Sequence, residues 1–151
     1  MTSAPHHKIL LLLFVSTFLL PAWVQGKDVP ERIDIDERYK WDLSDMYRDT
    51  QAWEVDREKF IEALPTLERF RGQLSTDGST LLAAIEAMQS VETIIANLYV
   101  YAGLRSYEDT RVSENAARFS EAQSLYARYQ ETLSFFTPEL LAIPENTLNQ
   151  F

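Results

Sequence analysis

From residue 50 onward apolar positions recur every three or four residues, whereas from Ile9 to Leu20 they run almost unbroken. The first pattern is the stripe of an amphipathic helix; the second is a short, uniformly apolar segment. Trp53, Phe60, Ile61, Leu64, Leu67 and Phe70 form one stripe, opened by Asp49 or Thr50 as N-cap with Glu54 in the first turn. Pro65 lies inside it and removes a helix hydrogen bond, which predicts a kink or break after Leu64. Gly72 is expected to end this helix, and Ser75 to Ser79 reads as a loop.

A second helix is predicted from Ser79 or Thr80 toward Tyr107, lined by Leu81, Leu82, Ile85, Met88, Ile95, Leu98, Tyr99 and Ala102. Gly103 marks a place where another helix approaches closely. A third runs from Ser113, its expected cap, to Phe136, with Ala117, Leu125, Tyr126, Tyr129, Leu133 and Phe136 on its apolar face. Thr137-Pro138-Glu139 reads as a fresh helix start, with Thr137 as cap and Pro138 in first position. Pro144-Glu145 reads as another, and a sequence that stops about one turn later is expected to be cut off.

The expected fold is all-α. An N-terminal arm (27–49) precedes a helical bundle segment (50–136) of two to three long antiparallel helices, and 137–151 is the truncated start of further helices. In the arm Ile33 and Ile35 alternate with acids, but no second strand exists to pair with such a piece. Trp41 and Leu43 are the expected anchors, with Ser44 or Asp45 capping a turn through Met46 and Tyr47.

The segment 1–26 has the layout of a secretory signal peptide: a start with Lys8, the apolar run, Pro21, and Val24-x-Gly26 as cleavage signal. Cleavage before Lys27 is expected; the alternative is an uncleaved anchor, so the membrane enters only through this presequence. Removing its one Lys and no acid moves the net charge from −9 to −10. Such a surface repels phosphate backbones, which excludes nucleic acid as a partner, and localisation is expected to be periplasmic or extracellular.

The chain has no Cys, so disulfides, thiolate nucleophiles and Cys-ligated metals are excluded. Its two histidines are His6 and His7, in the presequence. The remainder therefore lacks a His-dependent triad and the usual catalytic zinc site, and neither catalytic residue nor metal ligand is assigned. Asp34, Asp36, Glu37, Asp56, Glu58, Glu108 and Asp109 have the residue type for acid–base chemistry or calcium, but they read as a solvated acidic surface without a calcium loop. Aromatics cluster as Tyr39, Trp41, Tyr47 and Trp53, and as Tyr99, Tyr101, Tyr107, Tyr126 and Tyr129. Most read as core; Tyr101 and Tyr107 fall off the stripe of their helix and are the candidates for the wall of a substrate groove.

Arg38-Tyr39-Lys40-Trp41-Asp42-Leu43-Ser44-Asp45-Met46-Tyr47, followed by Trp53, resembles the N-terminal signature of the oligoendopeptidase F family. In the same order, Phe70-Arg71-Gly72-Gln73-Leu74 is similar to its F-x-G-x-L helix end, and Leu98 to Ala102 with Asp109-Thr110 to its Y-x-Y-A helix and D-T bend. Ser134 to Leu141 resembles its S-F-F-x-P-E-L-L passage. The resemblance implies the N-terminal segment of a larger, largely helical zinc metallopeptidase that cleaves short peptides in a deep cleft. It further implies that zinc and the H-E-x-x-H motif belong to the full-length protein, and that this chain's partner is the rest of the peptidase. Read without the resemblance, the residues equally allow a self-contained exported helical module that binds a protein or peptide.

Overall fold

The computed structural model describes residues 30–151. The expected signal peptide, 1–26, and the start of the arm lie outside the described residues. Arg32–Phe151 forms one unit; of the preceding unit, Met1–Glu31, only Pro30 and Glu31 are described.

Three long helices carry the second unit: α1 (Thr50–Ala63), α2 (Gly78–Glu108) and α3 (Ser113–Thr132). Two short ones follow, α4 (Phe136–Ala142) and α5 (Glu145–Leu148). No strand occurs among the described residues, so the architecture is all-α, as expected. Contacts between α2 and α3 run Tyr107 to Phe119 and Tyr99 to Tyr126, so these two helices are antiparallel. Those between α1 and α3 run Trp53 to Arg118 and Arg57 to Glu121, so these two ascend together.

Local chemistry accounts for the boundaries. Asp49 caps α1 by accepting from the Ala52 N–H at 2.8 Å, and Asp77 caps α2 by accepting from the Thr80 N–H at 2.8 Å. Glu54 lies beyond the first turn of α1 and pairs instead with Arg57 at 2.7 Å. At Pro65 the α-helix gives way to a 3₁₀ stretch over Leu64–Phe70, because proline cannot supply the next ladder donor. Gly72 then adopts a left-handed φ of 73° that a side chain disfavours, and its N–H donates to the Glu139 carboxylate at 2.8 Å.

Other expected start signals moved. Val112, not Ser113, precedes α3 and offers no side-chain cap, while Asn115 Nδ2 donates to the Arg105 carbonyl at 3.1 Å, tying α3 back to α2. α4 begins at Phe136, directly after a 3₁₀ turn at Leu133–Phe135, so Thr137 is not its cap and Pro138 is its third residue. The absence of side-chain capping fits a start inherited from the preceding turn rather than from free chain.

Two apolar clusters hold the unit together. One joins α1, α2 and α3 through Trp53, Phe60, Ile95, Leu98, Tyr101 and Ala122, and takes in Leu43 and Tyr47 from the arm. The other gathers Phe70, Leu74, Ala84, Phe135, Phe136 and Ile143. The arm is not extended: it makes 3₁₀ turns at Arg32–Asp34 and Glu37–Tyr39. Its anchors are Leu43 and Tyr47, whereas Trp41 is exposed. Asp42, not Ser44 or Asp45, organises the turn there, accepting from the Ser44 N–H at 2.9 Å and hydroxyl at 2.6 Å.

Tyr129 of α3 ties packing to pH. Burial foremost, then the charge of Glu92 and the neighbouring Tyr126, push its phenol up to about 12. The neutral form is favoured in the fold, so its contribution is complete below the unfolded value near ~10 and is lost as pH rises through about 12. Denaturant titrations across that window should show the wild-type chain losing stability more steeply than Tyr129→Phe; parallel losses would refute the assignment.

Candidate functional site

The two tyrosines singled out by sequence fall in different environments. Tyr101 is 1% exposed, with Tyr47 edge-on at a centroid separation of 5.2 Å and Arg105 Nε donating to its hydroxyl at 3.4 Å. It is a core residue, correcting its placement off the buried face of α2. Tyr107 is 65% exposed and lies between two adjoining depressions.

The first depression, about 200 Å³, lies over the C-terminal half of α2 where α3 crosses it. Tyr99 and Tyr107 both meet Phe119 of α3 edge-on, at 5.3 and 5.7 Å, and Val100, Gly103 and Leu104 complete the lining. Gly103 makes this approach possible, since a Cβ there would stand 3.2 Å from the Phe119 ring. Apart from the two phenol hydroxyls, no polar side chain lines the space.

The second depression, about 160 Å³, lies between the arm and the end of α2, where Tyr39, Trp41 and Tyr107 surround Arg32, Lys40 and Glu108. Glu108 was expected on the solvated acidic surface, yet its side chain is only 4% exposed. Its carboxylate holds Arg105 at 2.9 Å and Arg32 at 2.7 Å. The Arg32 contact is electrostatic, because that oxygen receives no aligned hydrogen bond. Lys40 is taken by Glu37 at 2.7 Å. Just beyond, Arg111 holds the Asp109 carboxyl down to about 2, chiefly through their side-chain hydrogen bond. Glu37, Glu108 and Asp109 are each engaged in an ion pair.

Among the described residues no group of His, Cys, Asp or Glu is arranged to hold an ion. The described residues therefore offer zinc no set of ligands.

Phe119, Val100 and Leu104 went unremarked in the sequence as site residues. Gly103 was the available signal, since a glycine inside a long helix invites a close neighbour. The chain is 31% identical over 120 residues to the group B oligopeptidase PepB of Streptococcus agalactiae serotype III (strain NEM316), covering 80% of this chain and 20% of that protein. Over most of its length the chain is similar to proteins of the oligoendopeptidase F family. It is 33% identical over 114 residues to the chromosomal oligoendopeptidase F of Lactococcus lactis subsp. cremoris, covering 75% and 19% of the two chains. Against oligopeptidase PepF of Bacillus subtilis (strain 168) the identity is 28% over 127 residues, 84% and 19% of the respective lengths. The chain thus spans about one fifth of the oligoendopeptidase F relatives it matches. No family model matches it, and no solved structure does.

Proposed function

We propose that this chain is the N-terminal, non-catalytic portion of an exported, oligoendopeptidase F-like zinc metallopeptidase that hydrolyses short peptides. The observation that carries the reading is the co-occurrence of two facts. The match to oligoendopeptidase F relatives runs through most of the chain, yet the described residues contain no group of side chains arranged to hold a metal ion. Its helices supply structure to a peptidase body, and zinc with its ligands belongs to the part of the relatives' length that this chain does not span. Export rests on the presequence pattern of 1–26.

The purified chain is expected to leave short fluorogenic peptides intact and to retain no stoichiometric zinc after dialysis. Reading the gene past the codon for Phe151 is expected to reveal H-E-x-x-H followed by a further Glu. Peptide hydrolysis or tight one-to-one zinc binding by the chain alone would overturn the non-catalytic assignment. An immediate stop codon with no metallopeptidase frame downstream would overturn the peptidase reading and leave a self-contained binding module.

A further inference from the structure

We propose that the aromatic groove between α2 and α3, formed by Tyr99, Val100, Gly103, Tyr107 and Phe119, is the seat of an apolar helix face from the remaining four-fifths of the peptidase body. This rests on the reading above and adds which surface makes the junction and with what chemistry.

The first argument is the apolarity of α2 set against its burial. Among the described residues it is the one helix long and apolar enough to cross a membrane, with a mean hydropathy of 1.3 over its richest 18-residue window. Only 22% of that window is fully buried within the chain, and the apolar Leu82 and Val100 of α2 stay 56% and 46% exposed. A soluble body leaves large apolar patches open only where something else covers them.

The second argument is the character of the groove. Val100 is 46% exposed, Tyr107 65%, and Tyr126 beside Tyr99 is exposed as well. Its lining carries no charge and no backbone group is offered at a strand edge, since α2 and α3 satisfy their own ladders. An extended peptide would need its own N–H and C=O groups satisfied on binding, whereas a helix brings them already paired. The notch that Gly103 leaves against Phe119 suits one aliphatic or aromatic side chain from such a helix.

The third argument is length. The matched relatives are about five times longer than the segment aligned here, and the alignment covers 75–84% of this chain. Most of what surrounds this segment in such a protein is therefore more of the same polypeptide.

The test mixes the full chain with Bacillus subtilis oligopeptidase PepF from which the matching segment has been deleted. Association is followed by sedimentation and hydrogen exchange. Binding is expected, with exchange slowed across 99–107 and 119–126. The double variant Val100→Asp/Tyr107→Asp should weaken it about tenfold or more, because both side chains sit at the centre of the contact. Leu141→Asp, at an equally apolar position 79% exposed on α4, should leave it within about threefold. Circular dichroism of the variants, expected to match wild type, separates lost contact from lost fold. Loss through Leu141→Asp but not through the groove variant would overturn the proposed surface and leave the peptidase reading intact. No association of the wild-type chain, with activity restored by no combination of the two parts, would count against both. Self-association, or binding to neutral phosphatidylcholine vesicles, that the groove variant abolishes while PepF binding persists would assign the groove to a second copy or a lipid surface and overturn the proposal.

Discussion

Trp53→Ala is expected to lower the unfolding free energy by about 3–5 kcal/mol, read from denaturant midpoints at constant slope. Trp53 is 0% exposed and lies where the three long helices meet. Its indole N–H donates to the Leu98 carbonyl of α2 at 3.0 Å, and the Arg118 guanidinium of α3 sits 5.7 Å from its ring centroid. One side chain from α1 thus fastens both neighbours, and alanine would leave a cavity bounded by helices that cannot close independently. Trp53→Phe separates the contributions. It keeps most of the ring contact but loses the hydrogen bond, and should cost about 1–2 kcal/mol. A loss below about 1 kcal/mol for Trp53→Ala would mean that the helices do not converge on this residue.

The second large effect is expected at Glu108. Glu108→Ala removes a carboxylate that is almost fully buried and serves two guanidinium groups, Arg32 from the arm and Arg105 one turn earlier on α2. A wholly buried pair broken in this way costs about 3–5 kcal/mol. Here Arg32 and Arg105 keep about one third of their side chains in water, at 33% and 38% exposed, so hydration recovers part of the loss. The expected cost is therefore about 2–3 kcal/mol. A more specific readout is hydrogen exchange. Because Arg32 is the arm's charged tie to α2, amides of the turns at Arg32–Asp34 and Glu37–Tyr39 should exchange faster in Glu108→Ala, while the centre of α1 should not. Glu108→Gln keeps the shape and one acceptor and should fall between the two. Unchanged exchange in the arm would show that the ion pair does not hold it.

Both predictions depend on residues whose type was plain in the sequence and whose setting was not. Trp53 belongs to a stripe that helical periodicity identifies directly, and the structure buries it. Glu108 gave no comparable sign. It lies among Asp109, Arg111 and other charged neighbours, and acids near a helix end are usually solvated. Burial came from the arm folding back over the end of α2, with Arg32 supplying the countercharge. That contact spans more than seventy positions and leaves no local pattern.

The same division runs through the candidate site. Tyr101 and Tyr107 both fall off the apolar stripe that a straight helix would present. α2, however, meets α1, α3 and the arm at different heights along 31 residues, so its buried face does not stay on one line. Tyr101 is covered by Tyr47 from the arm, and Tyr107 is left outside. Leu82, expected within the stripe, is exposed for a related reason: the second cluster takes Ala84 from the same turn instead.

What the sequence determined by itself is therefore local. It set the helical class, the cap at Asp49, the change of helix type at Pro65 and the left-handed turn at Gly72. Each depends on the conformational limits of one residue, or on a donor and acceptor a few positions apart, so short-range chemistry suffices. The tertiary structure alone decided which apolar face is buried, where Glu108 finds its partners, and that Phe119 closes over Gly103 to shape the groove. Those outcomes depend on which distant surfaces meet, and burial is a property of the assembled neighbours, not of any residue's own pattern.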